Sequence, residues 1–235
     1  MLIAILAIII TVAAGYFIGA IPVGHLVARA QGINIFEYGS GNPGATNVMR
    51  ALTEKYGGRG KKFGYLVFAL DALKGAAATG WPLLVEKLWH CDTLAWDTLD
   101  VLALIGLVSA MLGNSFSCFA HFKGGKGVST GAGGFLVLMP ASIAIALLVW
   151  VVVFEATRYV SLGSIIATAT LPVTSLASNR LWGWPPLDIV ALSAAAAVFV
   201  AARHRANIAR LLNGTENKFA KKNTGESTQA ETGNS

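Results

Sequence analysis

Residues Val128 to Phe154 read VSTGAGGFLVLMPASIAIALLVWVVVF, and whether this stretch crosses a membrane once or twice decides the fold. It opens on small residues and carries Pro140 in its middle. A proline inside a helix removes a backbone donor and clashes with the preceding turn, so two helices are expected here. The first, about 12 residues or roughly 18 Å long, is shorter than a hydrocarbon crossing and must tilt or be shielded by protein.

The rest of the chain has the same character. Its 235 residues are 54% hydrophobic and 13% charged, with mean hydropathy +0.60, which is too apolar for a water-soluble domain. Further apolar stretches run from Leu2 to Ala28, Phe63 to Val85, Val101 to Phe119, Val160 to Ala177 and Leu187 to Ala202. The segment Ala30 to Lys62 carries five Lys/Arg against two Glu, and Arg203 to Ser235 carries six against three. Positive flanks belong on the cytoplasmic side, and an uninterrupted Val128–Phe154 would put these two on opposite sides. Splitting at Pro140 resolves the conflict. The expectation is an all-α polytopic membrane protein of seven transmembrane helices, N-terminus outside and C-terminus cytoplasmic, with the acidic connection Glu86 to Asp100 outside.

The first span has no positive charge ahead of its apolar run, unlike a cleaved leader, and is expected to kink near Pro22 and Gly24. A formal charge of +6 can signal nucleic acid, but these bases flank apolar stretches, and nucleic-acid binding is set aside in favour of lipid contact. Cys91 and Cys118 are expected at opposite faces, too far apart to bridge. Residues 1–217 read as one membrane domain and 218–235 as a polar, disordered tail.

Two glycine-rich basic segments carry the chemistry. In HFKGGKGVST, His121 to Thr130, Lys126 sits among Gly124, Gly125 and Gly127, with Lys123 before them and an apolar helix after. Backbone amides, a helix N-terminus and an ammonium together can hold a phosphate. Gly127 stands where a Walker loop has Ser or Thr, so ATP hydrolysis is not implied. The competing reading is a basic loop against lipid headgroups. In GSGNPGATNVMR, Gly39 to Arg50, the turn residues Gly41, Pro43 and Gly44 alternate with Ser40, Asn42, Thr46 and Asn47 before Arg50. This is either a second anion site or a capped loop entering a helix.

Asp71 and Lys74 share one face of an apolar helix, where an unpaired charge costs about 2.5–3.5 kcal/mol, so they are expected to pair and to support the neighbouring loops. Glu155 and Arg158 repeat the spacing at a helix end. After the last span comes RHRANIARLLNGTE, Arg203 to Glu216, with His204 and Asn207 on one face; a juxtamembrane lipid-binding helix is the alternative. No metal-ligand spacing appears, and no cofactor is expected.

With these residues in hand, the chain resembles the acyl-phosphate-dependent glycerol-3-phosphate acyltransferases of bacteria, the PlsY family. The likeness runs from about Leu2 to Glu216 through GSGNPGATNVMR, DALKG at Asp71–Gly75, FKGGKGVST, RYVSLGSI at Arg158–Ile165 and RHRANIARLLNGTE. It implies a seven-helix enzyme of the bacterial inner membrane, its site facing the cytoplasm, that moves a fatty acyl group from acyl phosphate to the 1-position of glycerol 3-phosphate. The products are lysophosphatidate and phosphate, with neither acyl-CoA nor acyl carrier protein as direct donor. Such a protein is expected to act as a monomer in membrane lipid, coupled to an enzyme that produces acyl phosphate.

The resemblance implies functional roles for Ser40, Thr46, Arg50, Lys126, Ser161, His204 and Asn207, with Gly124, Gly125 and Gly127 shaping a phosphate loop. One departure stands out. Before that loop the family carries G-H-x-[FY]-P, whereas Gly113-Asn114-Ser115-Phe116-Ser117 lacks the His and the Pro, so an altered helix-to-loop geometry is expected. An acyl-serine intermediate at Ser40 is a minor alternative. From another class, a transporter for a phosphorylated solute would predict an inverted repeat and charges near the midplane of several helices.

Overall fold

The computed structural model describes residues 2–89 and 96–219. Among them lie ten α-helices and no strand: α1 (Leu2–Ala20), α2 (Val23–Ala30), α3 (Ala45–Tyr56), α4 (Lys61–Trp89), α5 (Trp96–Ser115), α6 (Val128–Leu138), α7 (Pro140–Thr157), α8 (Val160–Trp182), α9 (Leu187–Arg203) and α10 (Arg205–Leu212). The deciding stretch does split. α6 ends at Leu138, Met139 leaves helical geometry, and Pro140 opens α7 at the position where its missing N–H has no helical partner to lose. The first span breaks at Ile21-Pro22, as the proline requires.

Every expected span is helical, but the count of seven is corrected. Among the described residues, four helical stretches are long and apolar enough to cross a membrane: Leu2–Ala30, Asp100–Ala120, Pro140–Thr157 and Val160–Trp182. A fifth is gained if α9 and α10, bent by 62° at their junction, count as one. The reasons are physical. α4 is long but carries Lys61, Lys62, Asp71, Lys74, Glu86 and Lys87, while α6 is only 11 residues, about 16 Å.

The molecule turns its apolar residues outward. On α7 the buried positions are Ser142 and Ala146, whereas Ile145, Leu147, Leu148 and Val152 are exposed; α1 likewise exposes Leu2, Ile3, Ile9 and Ile10. An apolar surface of this extent fits hydrocarbon and not water. Inside, the short α6 is shielded by packing backbone to backbone on α4. A Cβ at Gly75 would lie 1.8 Å from the Thr130 carbonyl oxygen, and one at Gly133 would lie 1.8 Å from that of Ala72. Small residues replace the hydrophobic drive that lipid-surrounded helices lack. Leu107, Met111, Phe135, Leu171 and Val200 form one core cluster, and Ile35, Val48, Leu52 and Val67 form a second beneath the first glycine loop.

The expected Asp71–Lys74 pair is present, with Lys74 Nζ 2.8 Å from Asp71 Oδ1 and both residues buried. Lys74 also donates to the carbonyls of Gly19 (3.0 Å) and Ile21 (2.8 Å), and to Asn114 Oδ1 (3.3 Å). It thus caps the carbonyls freed at the α1–α2 break and ties that break to the end of α5. Glu155 and Arg158 pair at 2.7 Å on the surface. Cys118 is a half-buried free thiol, while Cys91, with residues 90–95 of the acidic connection, lies outside the described residues.

Candidate functional site

The second glycine loop is shaped by its neighbours' hydrogen bonds. Gly127 adopts φ 78°, open to glycine, and leads directly into α6. Gly125 N–H donates to the Asn114 carbonyl at 2.8 Å, and Arg203 Nη2 donates to the carbonyls of Gly125 (3.0 Å) and Ser115 (3.3 Å). With its carbonyls turned toward Arg203, the loop presents Lys126 and the first-turn amides of α6 elsewhere. Those amides have no intrahelical acceptor, which makes the helix start an anion seat.

Lys126 Nζ reaches Asn207 Oδ1 at 2.5 Å. From there a network closes around one carboxylate. Glu216 Oε1 accepts from Asn207 Nδ2 (2.7 Å) and Ser161 Oγ (2.8 Å), and Oε2 accepts from Arg210 Nε (2.7 Å). Burial acts to raise the Glu216 pKa, but the bonds from Asn207, Ser161 and Arg210 outweigh it and hold the carboxyl below its usual range. Burial lowers the Lys126 ammonium to about 8; Glu216 opposes this, and Arg210, Arg203 and Arg50 reinforce it. An anion bound beside it would oppose the effect of burial and favour the charged form.

His204 sits at the bend between α9 and α10, 3% exposed, with Nδ1 2.8 Å from the Val200 carbonyl. A carbonyl only accepts, so the proton is on Nδ1 and Nε2 carries the lone pair. Arg50, on α3, donates through Nη2 to the Asn217 carbonyl at 2.9 Å. The structure thus brings Lys126, Ser161, Asn207 and, through the chain after α10, Arg50 into one assembly.

The first glycine loop is built otherwise. Asn47 is 3% exposed; its amide nitrogen donates to the carbonyls of Tyr38 (2.8 Å) and Ile35 (3.5 Å), and its oxygen accepts from Ser40 N–H (3.3 Å). Asn42 Oδ1 accepts from Gly44 N–H at 2.7 Å, an Asx turn, and Gly41 stands at φ 66°. Asn47 and Asn42, expected among the substrate-binding residues, therefore spend these groups on loop shape. Ser40 and Lys123 are exposed, Thr46 is half-buried in the first turn of α3, and none of the three side chains bonds to the Glu216 network.

Three residues carry no assigned role in the sequence reading. Arg203 reads as a flanking base, indistinguishable from Arg205. Glu216 has no role in that reading, although a carboxylate placed after three basic residues is a legible sign of pairing. Phe219 reads as tail, yet its N–H donates to the Arg158 carbonyl at 3.1 Å. The departure at Asn114 and Ser117 is absorbed locally, because Ser117 Oγ donates to the Ala20 carbonyl and Asn114 serves both Lys74 and Gly125.

Fold and site together define an integral membrane protein whose helix ends gather cations and hydrogen-bond donors around an anion. Residues 9–214 match the family model described as Glycerol-3-phosphate acyltransferase. The glycerol-3-phosphate acyltransferase of Fusobacterium nucleatum is 42% identical over 205 residues, covering 87% of this chain and 94% of that protein. That of Geobacter sulfurreducens is 42% identical over 211 residues, covering 90% and 97%. A crystal structure of PlsY (YgiH), an integral membrane glycerol 3-phosphate acyltransferase in its glycerol 3-phosphate form, aligns with TM-score 0.75 at 34% identity, covering 91% of this chain and 96% of that one. The chain belongs to the glycerol-3-phosphate acyltransferase family.

Proposed function

We propose that this chain transfers a fatty acyl group from acyl phosphate to the 1-hydroxyl of sn-glycerol 3-phosphate, releasing 1-acyl-glycerol 3-phosphate and inorganic phosphate. The observation that carries the reading is the seat of Glu216, where a carboxylate lies among Arg210, Asn207 and Ser161 beside Lys126. A cluster that binds one set of anionic oxygens this well has the charge and the donors to bind phosphate. The PlsY relative is known in a glycerol 3-phosphate form and a lysophosphatidic acid form, an acceptor and a product of the same transfer.

Acyl phosphate is a mixed anhydride whose leaving group departs readily once its charge is neutralised. Catalysis then rests on positioning and electrostatics. Lys126, Arg50 and the amides at the start of α6 hold the two phosphates, while Ser40 and Asn207 orient hydroxyl and carbonyl. The glycerol oxygen bonds to the acyl carbon, the acyl-to-phosphate C–O bond breaks, and the hydroxyl proton passes to a phosphate oxygen or to His204 Nε2. The acyl tail lies between helices in the bilayer.

The protein works as a monomer in the bacterial cytoplasmic membrane, N-terminus outside and site inside, drawing its donor from an acyl-phosphate-producing enzyme. Purified protein given palmitoyl phosphate and glycerol 3-phosphate should form lysophosphatidate without CoA or carrier protein. A requirement for either would overturn the assignment.

A further inference from the structure

The chain does not end its structural role at Glu216. Thr215 N–H donates to the Arg210 carbonyl (2.8 Å), Glu216 anchors in the site, and Phe219 N–H donates to the Arg158 carbonyl (3.1 Å). Residues 215–219 are therefore pinned at both ends, forming a strap from α10 to the α7–α8 junction. Along it, Lys218 Nζ lies 5.1 Å from the centre of the Tyr159 ring, and the Phe219 ring meets Phe154 edge-on at 5.8 Å. Arg50 arrives from α3, 167 residues earlier in the chain. Its Nη2 bonds to the Asn217 carbonyl, and its guanidinium carbon lies 4.7 Å from the centre of the Phe219 ring.

We propose that Phe219 is a positioning residue for Arg50, fixing the guanidinium so that its edge serves a substrate phosphate. A guanidinium forms hydrogen bonds in its plane and cation–π contacts through its face, so the two do not compete. The guanidinium carbon lies over the ring, the Asn217 carbonyl takes one N–H, and the remaining N–H groups of the five are left to serve a phosphate. Without the strap, Arg50 is a long, half-buried side chain that must be ordered by substrate alone, and binding weakens by the freedom lost. Tyr38 adds no substitute, since its hydroxyl donates to Glu54.

This inference rests on the phosphate-binding role proposed for Arg50. Its test compares KM and kcat of the full-length wild type with those of Phe219→Ala, Phe219→Leu, Phe219→Trp, Arg50→Lys and the double variant Arg50→Lys/Phe219→Ala. Each protein is first checked for monodispersity and thermal unfolding. A cation–π contact of this exposure corresponds to about a two- to fivefold effect. Phe219→Ala and Phe219→Leu should raise KM for one phosphorylated substrate by that factor with kcat retained. Phe219→Trp should keep the wild-type value, and Phe219→Ala should add nothing once Arg50 is lysine.

Wild-type kinetics in Phe219→Leu would reduce the ring to packing and overturn the proposal. So would a full Phe219→Ala effect in the Arg50→Lys background. If the wild type makes no lysophosphatidate, the functional reading fails by itself. The inference is then read from the affinity for inorganic phosphate, which Phe219→Leu should lower and Phe219→Trp should keep, and equal affinities would sink it.

Discussion

The two glycine-rich loops are written in similar letters and built on opposite plans. In Gly39–Asn47 the side chains serve the loop, as Asn42 closes a turn on Gly44 and Asn47 binds Ile35, Tyr38 and Ser40. In Gly124–Gly127 the neighbours serve the loop: Asn114 and Arg203 hold its backbone, and its one long side chain, Lys126, is free to reach Asn207. A self-satisfied loop is a scaffold that aims the helix after it, here α3 with its Arg50. A loop held from outside can turn its own charge and amides to a ligand.

The sharpest way to break this contrast is Lys126→Ala. It removes the ammonium while sparing the scaffold, and acyl transfer should fall by roughly a hundredfold or more, the usual cost of losing a charged stabiliser in a site. Lysophosphatidate formation reports it, and an unchanged melting temperature would separate chemistry from folding. Next comes Glu216→Gln, which leaves Arg210 without its buried counter-charge. Because Arg210 is itself about a third exposed, the loss should be about 1–3 kcal/mol of stability, read as a lower unfolding midpoint in detergent.

The pH profile is third in size. Lys126, lowered to about 8, is charged below that pH and loses its proton above it, so kcat/KM should decline about tenfold per unit beyond the turning point. In Lys126→Arg that decline should vanish. Glu216 acts on the acid side and with the opposite sign. Its carboxyl is held low in the folded protein, so its stabilisation is present at neutral pH and drains away as pH falls through the depressed value. The smallest effect on activity is expected at Asn47→Ala. It strips three loop bonds and should cost about 1–3 kcal/mol of stability while leaving kcat nearly unchanged in the folded fraction. A large kcat defect there would show that Asn47 itself acts on substrate and not only on loop shape.

Much of this is legible in the sequence. Pro140 announces its break because proline acts locally, and Asp71–Lys74 announces its pairing because helical spacing places the two side chains on one face. The seven-span count goes too far because charge alternation reports where loops lie, whereas crossing depends on length and on what each helix carries. α6 is 11 residues and α4 is laced with charge, and packing against each other accommodates both. Asn47 misleads because an amide that binds backbone and one that binds substrate are written with the same letter.

Sequence alone established a helical membrane protein with two glycine-rich polar loops and a basic C-terminal segment, since periodicity, hydropathy and turn chemistry act over a few residues. Tertiary structure alone decided that Glu216 gathers Ser161, Asn207 and Arg210, that Arg203 shapes the phosphate loop, and that Phe219 covers Arg50. Those partners lie up to 169 positions apart in the chain, Arg50 and Phe219 being the extreme (219 − 50), and hydrogen bonds and ion pairs depend on distances of a few ångströms that no local rule encodes.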